Sequence, residues 1–467
     1  MTISNLVVML HYGRARTVRL GVILTALWPV AIPLHGSEAL KGSKPNVIVF
    51  LVDDLGYGDV GCYGHPRNRT PHIDRLAAQG LRFTDFHSNG AMCTPTRAAL
   101  LTGRYQNRFG KMFEGPLSAR GNPYEGLPLE TVTVADALKG GGYHTAMFGK
   151  WHLGFRAPFL PTRQGFDEYR GLTSGDGDHH SQMNRSGEKD WWRNEEIEME
   201  EGYTTELITR HSVDFMERHA DEPFFLYVAH LAIHFPWQGP DEKAHRVEGT
   251  SYWNLTKLGP HEPGQVAPVV QAMVESIDRS LGAIVAALKR LRLEKRTLVI
   301  FTSDNGGYLD YGDRFHGEVS SNGPLRGQKS DLFEGGHRVP TIAWWPGRIQ
   351  PGRVSEELAM SVDLMPTFLE LAGAVWPAGA PQDGLSLLDH LVSGTSLPER
   401  TAFWRVGRSG AVRRGDWKLV LQPDRAMLFD LSQDLGEKTD LAATQASRVK
   451  DLRERYTRWE KEVTGKR

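Results

Sequence analysis

Residues 46–52, Asn-Val-Ile-Val-Phe-Leu-Val, form an apolar, largely β-branched run in which polar and apolar residues do not alternate. A strand with one wet face alternates; an unbroken run belongs to a strand covered on both faces, as in a parallel sheet. Comparable runs recur within 143–154, 223–236, 296–307 and 339–347. Helical patterns lie between them. Residues 72–80 end at a glycine, 131–142 open on threonines suited to capping, and 269–291 are long and amphipathic. Strands alternating with helices predict an α/β fold: a doubly wound, mostly parallel sheet flanked by helices. In such sheets ligands sit beyond the carboxyl ends of the strands.

With 467 residues, 40% of them hydrophobic, the chain has more than one small core requires, so a large domain and a smaller one are expected. The style changes past residue 375. The stretch 375–384 is rich in Pro, Gly and Ala and reads as a linker. Short strand-like runs and a charged helix at 446–464 follow, which predicts a small antiparallel sheet with one helix. The expected organisation is a catalytic domain at 45–375 and a C-terminal α+β subdomain at 376–467. Residues 1–37 read as an export signal: Arg14, Arg16 and Arg19 precede an apolar run at 20–34, and small or polar residues follow. That run is short for a membrane span and carries Pro29 and Pro33. The mature protein is therefore expected to be exported, periplasmic or secreted, with no membrane attachment after cleavage. Lys and Arg total 55 against 56 Asp and Glu, so no basic surplus points to nucleic acid.

The chemistry gathers at the predicted strand ends. Asp53 and Asp54 follow the first strand, and Asp304 and Asn305 follow the run at 296–303. Four oxygen-bearing side chains on one sheet edge suit a hard cation, Ca²⁺ or Mg²⁺ rather than zinc. Taken singly, an Asp pair serves equally well to cap a turn or helix. Lys150 and His152 are two residues apart, which in an extended segment puts both on one face. His234 follows another strand, with His230 on the same stretch; Lys329 lies in a glycine-containing loop and Arg97 one turn into a helix. Isolated, such residues are ordinary surface or core groups. Together at strand ends they would bind an oxyanion and stabilise charge developing on it.

Cys93 is one of two cysteines. Pro95 marks the first turn of a helix, so Cys93 is expected at its mouth, where backbone N–H groups point at an anion. A bare thiolate is a soft ligand in a hard-oxygen site, a poor match. A Cys62–Cys93 disulfide is the ordinary alternative for an exported chain. An oxygen-bearing group at position 93 would suit the surroundings better than either.

These residues carry a resemblance. Residues 93–97, Cys-Thr-Pro-Thr-Arg, with Ala-Ala-Leu-Leu-Thr-Gly-Arg after them, resemble the Cys-x-Pro-x-Arg signature of the type I, formylglycine-dependent sulfatases of the alkaline phosphatase superfamily. The blocks 52–64, 142–154 and 302–307 are similar to further blocks of that family, in order, and the likeness spans roughly residues 45–465. The blocks look nearest to the arylsulfatase A and N-acetylgalactosamine-6-sulfatase branches. The resemblance implies a sulfuric ester hydrolase in which Cys93 is oxidised to formylglycine by a formylglycine-generating or anaerobic maturation enzyme. It implies one Ca²⁺ held by Asp53, Asp54, Asp304, Asn305 and modified residue 93, which also attacks sulfur. Arg97 would hold the hydrated aldehyde and His152 would handle its proton. Lys150, His234 and Lys329 would grip the sulfate, His234 or Lys329 protonating the leaving alcohol. Thr96 stands where many members have Ser, and Ala-Ile precedes His234 where Pro is common.

For the substrate, a sulfated carbohydrate or a small sulfate ester is expected. Within 171–192, Asp178, His179, His180, Trp191 and Trp192 are candidate sugar contacts, the tryptophans by stacking; an ordinary structural loop is the other reading. Two rival functions are a phosphate mono- or diester hydrolase on the same fold and a non-catalytic sulfated-glycan binder with an unmodified cysteine.

Overall fold

The computed structural model describes residues 36–254, 259–311, 315, 317 and 319–465. Apart from Gly36 and Ser37, the export-signal segment lies outside the described residues. Ten strands form one sheet, in the order Arg353–Ser355, Leu81–Phe83, Thr341–Trp344, Thr297–Ser303, Asn46–Val52, Phe224–Ala229, His144–Lys150, Glu168–Leu172, Trp192–Arg193, Glu196–Ile197. The five from Thr297–Ser303 to Glu168–Leu172 are all parallel. Asn46–Val52 is the second of them, paired in register with Thr297–Ser303 on one side and with Phe224–Ala229 on the other.

The unbroken apolar run follows from this position. Alternate residues of the strand enter two separate cores: Val47, Val49 and Leu51 face one, Ile48, Phe50 and Val52 the other. Each fully buried aliphatic or aromatic side chain contributes about 1.5–3 kcal/mol, so neither face tolerates a polar residue. Cys93–Thr102, Val134–Gly140 and Leu364–Ala372 cover the first face; Pro71–Ala78, Thr204–Arg218 and Val266–Arg290 cover the second. Thr133 caps Val134–Gly140 through a reciprocal capping box with Asp136, as its threonine-rich start suggests.

The sheet departs from the sequence reading at its edges. Thr341–Trp344 runs antiparallel to both its neighbours, although its apolar run resembles the parallel ones. Burial on both faces sets that pattern, and strand direction leaves no mark on it. Gly171 and Leu172, at the start of the expected surface insertion, end the fifth parallel strand. The helix Thr204–Arg218 gave no clear signal because seven of its fifteen residues are buried amid a largely polar sequence.

The C-terminal residues form a four-stranded antiparallel meander, Thr401–Val406, Ser409–Arg414, Trp417–Gln422 and Arg425–Asp430, with the helix Ala446–Thr464 packed against it. Trp404, Leu419, Leu428, Tyr456 and Trp459 make its core, joined by Tyr105, Met360 and Val362 of the larger part. Within the proposed C-terminal segment, the short helix Leu388–Ser393 packs Leu388, Leu391 and Val392 into the first core of the large sheet. Glu334 anchors the junction: fully buried, it accepts from Lys418 Nζ at 2.9 Å, Arg338 Nη1 at 3.1 Å and Arg413 Nη1 at 3.4 Å.

Candidate active site

Four parallel strands deliver their side chains to one edge. Asp53 and Asp54 leave Asn46–Val52, Lys150 ends His144–Lys150, His234 follows Phe224–Ala229, and Asp304 and Asn305 leave Thr297–Ser303. All six are buried. The helix Cys93–Thr102 starts at this edge, and every one of its ten residues is buried. It approaches closely because residue 90 is glycine: a Cβ there would lie 2.3 Å from Pro95 Cβ.

Cys93 sits at the centre. Its Sγ is 3.3 Å from Asp53 Oδ1, 3.3 Å from Lys150 Nζ and 3.4 Å from Lys329 Nζ. Lys150 also donates to Asp53 Oδ2, and Lys329 to Asp54 Oδ1 at 2.6 Å. Burial and the nearby Asp53 charge push the Cys93 thiol above its ordinary range, so it rests protonated. Cys62 is likewise a free thiol, pushed up to about 12 by burial and Asp74, and no disulfide joins the two.

Arg97 directs its hydrogen bonds to groups other than Cys93. Its Nε and Nη2 donate to Asp304 Oδ2 at 3.1 and 2.9 Å, its Nη1 donates to the Lys150 carbonyl at 2.5 Å, and its Nη2 lies 3.5 Å from Asp53 Oδ2. It braces two acids and a strand end. Burial would raise Asp304, yet Arg97, Lys150 and Lys329 hold it below the usual carboxylate range. Asp53 goes the other way: burial and the Asp304 charge push it up to about 7 despite Lys150 and Arg97. Lys329 is buried, which opposes its charge, but Asp54 chief among its neighbours keeps it protonated well above the usual lysine range.

The two histidines have defined hydrogen bonds. His152 Nε2 lies 2.8 Å from the Leu117 carbonyl, so that nitrogen carries the proton, and its buried Nδ1 has no partner. His234 Nδ1 donates to the Phe235 carbonyl at 2.9 Å, leaving Nε2 3.7 Å from Asp54 Oδ2. Burial and nearby lysines, Lys150 for His152 and chiefly Lys329 for His234, hold both rings neutral, well below the usual imidazole range. Asp54 and His152 have positive φ, 63° and 57°. Such conformations cost a non-glycine residue of order 1–3 kcal/mol and persist where packing over-determines them, typically at functional positions.

Whether these residues suit a cation is tested by what they leave unsatisfied. One oxygen each of Asp53 and Asp54, the Cys93 sulfur and a His234 nitrogen lie within 4.8 Å of one another. Asn305 Nδ2 donates to Asp54 Oδ1, which turns the amide oxygen the other way, and that buried Oδ1 has no hydrogen-bond donor. An orphaned buried amide oxygen and two clustered carboxylates fit a hard, oxygen-seeking divalent ion.

Cys93, His152, His234 and Lys329 line one cleft of roughly 240 Å³. Other parts of its wall carried no sequence signal: Asp176, Arg185, Trp253, Tyr308 and Tyr311 come from loops whose convergence only the fold decides. The expected sugar contacts mostly lie elsewhere. Asp178 is buried and accepts backbone N–H groups of His180, Ser181, His245 and Arg246. His179 is buried between Thr204 Oγ1 and the His234 carbonyl, and His180 reaches the Gly239 carbonyl. Trp191 is fully buried against Glu200. These four tie loops together. Trp192 is half-buried and lines an adjoining groove. His230 is buried against Phe50 and Ser280, away from the cleft.

Comparisons agree with this picture. The Sulfatase family model matches residues 45–374, and the model for the C-terminal part of N-sulphoglucosamine sulphohydrolase matches 328–462. The chain is 37% identical over 392 residues to N-acetylgalactosamine-6-sulfatase of Canis lupus familiaris, covering 80% of this chain and 71% of that one. It is 36% identical over 450 residues to arylsulfatase A of Homo sapiens, covering 85% and 83%. Among solved structures it is similar to Ps i-CgsB in complex with k-i-k-neocarrahexaose: TM-score 0.79, 30% identity, 89% of this chain and 93% of that one.

Proposed function

This chain belongs to the sulfatase family and is a sulfuric ester hydrolase; from that premise we propose that it removes sulfate from a sulfated carbohydrate through residue 93, matured from cysteine to formylglycine, beside a bound Ca²⁺. Asp53, Asp54, Asp304 and Asn305 would hold the ion. The observation that carries this reading is the seating of Cys93 Sγ within 3.4 Å of Asp53, Lys150 and Lys329 while burial keeps it a neutral thiol. A thiol nucleophile would need a lowered pKa; a thiol that is a precursor does not.

Hydrated formylglycine supplies two hydroxyls on one carbon, one to accept the sulfuryl group and one whose proton loss expels sulfate and restores the aldehyde. Bound Ca²⁺ supplies Lewis-acid polarisation of the sulfate oxygens and eases deprotonation of the attacking hydroxyl. The remaining work falls to this chain's own side chains. Lys150 and Lys329 flank residue 93 and offset the charge of a sulfate brought against it. His152, neutral and with an unpartnered Nδ1, is suited to take the proton of the second hydroxyl. Lys329, held protonated and 3.4 Å from residue 93, is placed to offset charge on the departing oxygen and to reach it with an N–H, whereas the neutral His234 already spends its Nδ1–H on Phe235. Arg97 keeps Asp304 ionised and holds it in place beside Asp53.

The sulfated carbohydrate is supported by the similarity to N-acetylgalactosamine-6-sulfatase and to Ps i-CgsB, solved in complex with k-i-k-neocarrahexaose. Tryptic mass spectrometry of the peptide carrying residue 93, purified from the native host, tests the nucleophile: the aldehyde mass is expected, and an intact thiol in active protein refutes the reading. Turnover of a sulfate ester against its phosphate analogue tests the reaction; preference for the phosphate would overturn it.

A further inference from the structure

The cleft contains a cation that the groups around residue 93 leave unexplained. Arg185 lines its wall. Arg185 Nη2 lies 2.6 Å from Asp176 Oδ2, and Arg246 Nη1 lies 2.6 Å from Asp176 Oδ1. Burial would raise Asp176, but Arg246 and Arg185 together bring it down to about 2, so it is fully ionised. One carboxylate shared by two guanidiniums leaves one positive charge unbalanced. Among the described residues no other carboxylate pairs with either arginine.

The surplus is delivered to the cleft and not to solvent at large. Arg246 is fully buried, while Arg185 is the member that reaches the cleft surface. Its guanidinium lies 4.7 Å from the Phe235 ring centre and 5.0 Å from that of Trp253. These rings strip water from it and fix its plane. Besides Asp176 it has Tyr311 of the same cleft as a side-chain neighbour, and its Nε is buried away from the cleft. A planar, pre-set guanidinium that carries a surplus charge to the cleft suits a two-oxygen anion. The scissile sulfate has its own cations in Lys150 and Lys329. Asn184 and Ser186, on either side of Arg185, line both this cleft and a second groove of roughly 730 Å³, which leaves room for a neighbouring sugar.

We propose that Arg185 forms a subsite for a second anionic group on the substrate, a carboxylate or a further sulfate ester on the same or the adjacent sugar. This rests on the sulfated-carbohydrate reading above and narrows it to polyanionic saccharides.

Binding decides the matter independently of turnover. Full-length Cys93→Ala protein is titrated calorimetrically with three probes: a neutral monosulfated galactose, a disulfated galactose, and a sulfated disaccharide containing a uronic acid. At least one of the last two is expected to bind ~10–10²-fold tighter than the first, the scale of a charge-assisted hydrogen bond in a dry site, and which one does so identifies the anion. Adding Arg185→Gln is expected to remove that preference, and Arg185→Lys to keep part of it. Equal affinity for all three probes overturns the proposal, as does an Arg185→Gln loss that is the same for every probe, which would mark a purely structural residue. Hydrolysis of nitrocatechol sulfate by protein with Cys93 intact is measured alongside. Its absence would count against the formylglycine reading and leave the binding comparison decisive for the subsite.

Discussion

Replacing Lys329 by methionine removes one charge and keeps the length of the side chain. Lys329 is 7% exposed, donates to Asp54 Oδ1 at 2.6 Å, lies 3.4 Å from Cys93 Sγ and packs over Tyr308 at 5.2 Å. A unit charge about 4 Å from a developing anion contributes about 4 kcal/mol at an effective dielectric of about 20. Loss of one positioned donor in other enzymes costs about 2.7–4 kcal/mol, or ~10²–10³ in rate. The two routes agree, so kcat/KM for nitrocatechol sulfate should fall ~10²–10³-fold. The fold should survive, because Asp54 keeps its bond from Asn305 Nδ2 at 2.8 Å and is not stranded. The assay pairs steady-state kinetics with the aldehyde content of residue 93 and with bound calcium, so that a failure of maturation is not read as lost catalysis. If aldehyde and calcium are unchanged and kcat/KM drops less than about fivefold, a threshold well below the donor-loss scale, Lys329 does not face the reacting group and the site assignment is wrong there.

Chelation should abolish turnover and lower the unfolding temperature, both restored by added Ca²⁺; in Asp304→Ala the response to Ca²⁺ should vanish with the activity, and a chelator-insensitive wild type would refute the metal site. Glu334→Gln leaves Lys418 with Glu437 and Arg413 with Asp85 but removes the carboxylate they share, at a cost of about 1.5–3 kcal/mol, the scale of a lost charge-assisted hydrogen bond; the shift in denaturant midpoint measures it, and a cost under about 0.5 kcal/mol, in the range of an exposed pair, would contradict the geometry. Burial and the neighbouring His179 bring His230 down to about 3. Below about pH 6.5 the unfolded chain takes up a proton at this histidine that the native state refuses until about pH 3. Stability should therefore fall with falling pH across that window, by about 1.4 kcal/mol per unit for this residue. His230→Phe should flatten the slope of unfolding free energy against pH by that amount, and an unchanged slope would show that the ring is not buried neutral.

Local pattern sufficed where one side chain's surroundings are set by its neighbours in the chain. Unbroken apolar runs meant strands buried twice over, and they located Asn46–Val52, Thr297–Ser303 and Phe224–Ala229, hence the edge where Asp53, Asp54, Asp304, Asn305 and His234 meet. Pro95 told where a helix begins and so placed Cys93 at its mouth. Strand direction, by contrast, leaves no trace in hydrophobicity, and Thr341–Trp344 turned out antiparallel. Contacts between residues far apart in the chain were equally silent. Arg97 pairs with Asp304 across 207 positions, Glu334 with Lys418 across 84, and Arg185 meets Asp176, Phe235 and Trp253 only because separate loops fold over one sheet edge. Burial periodicity is written along the chain, whereas the distance between two charges depends on how the whole sheet is closed. The chain alone thus determined which chemistry it carries, and the tertiary structure decided which cations brace the acids, which face residue 93, and which one lies across the cleft from it.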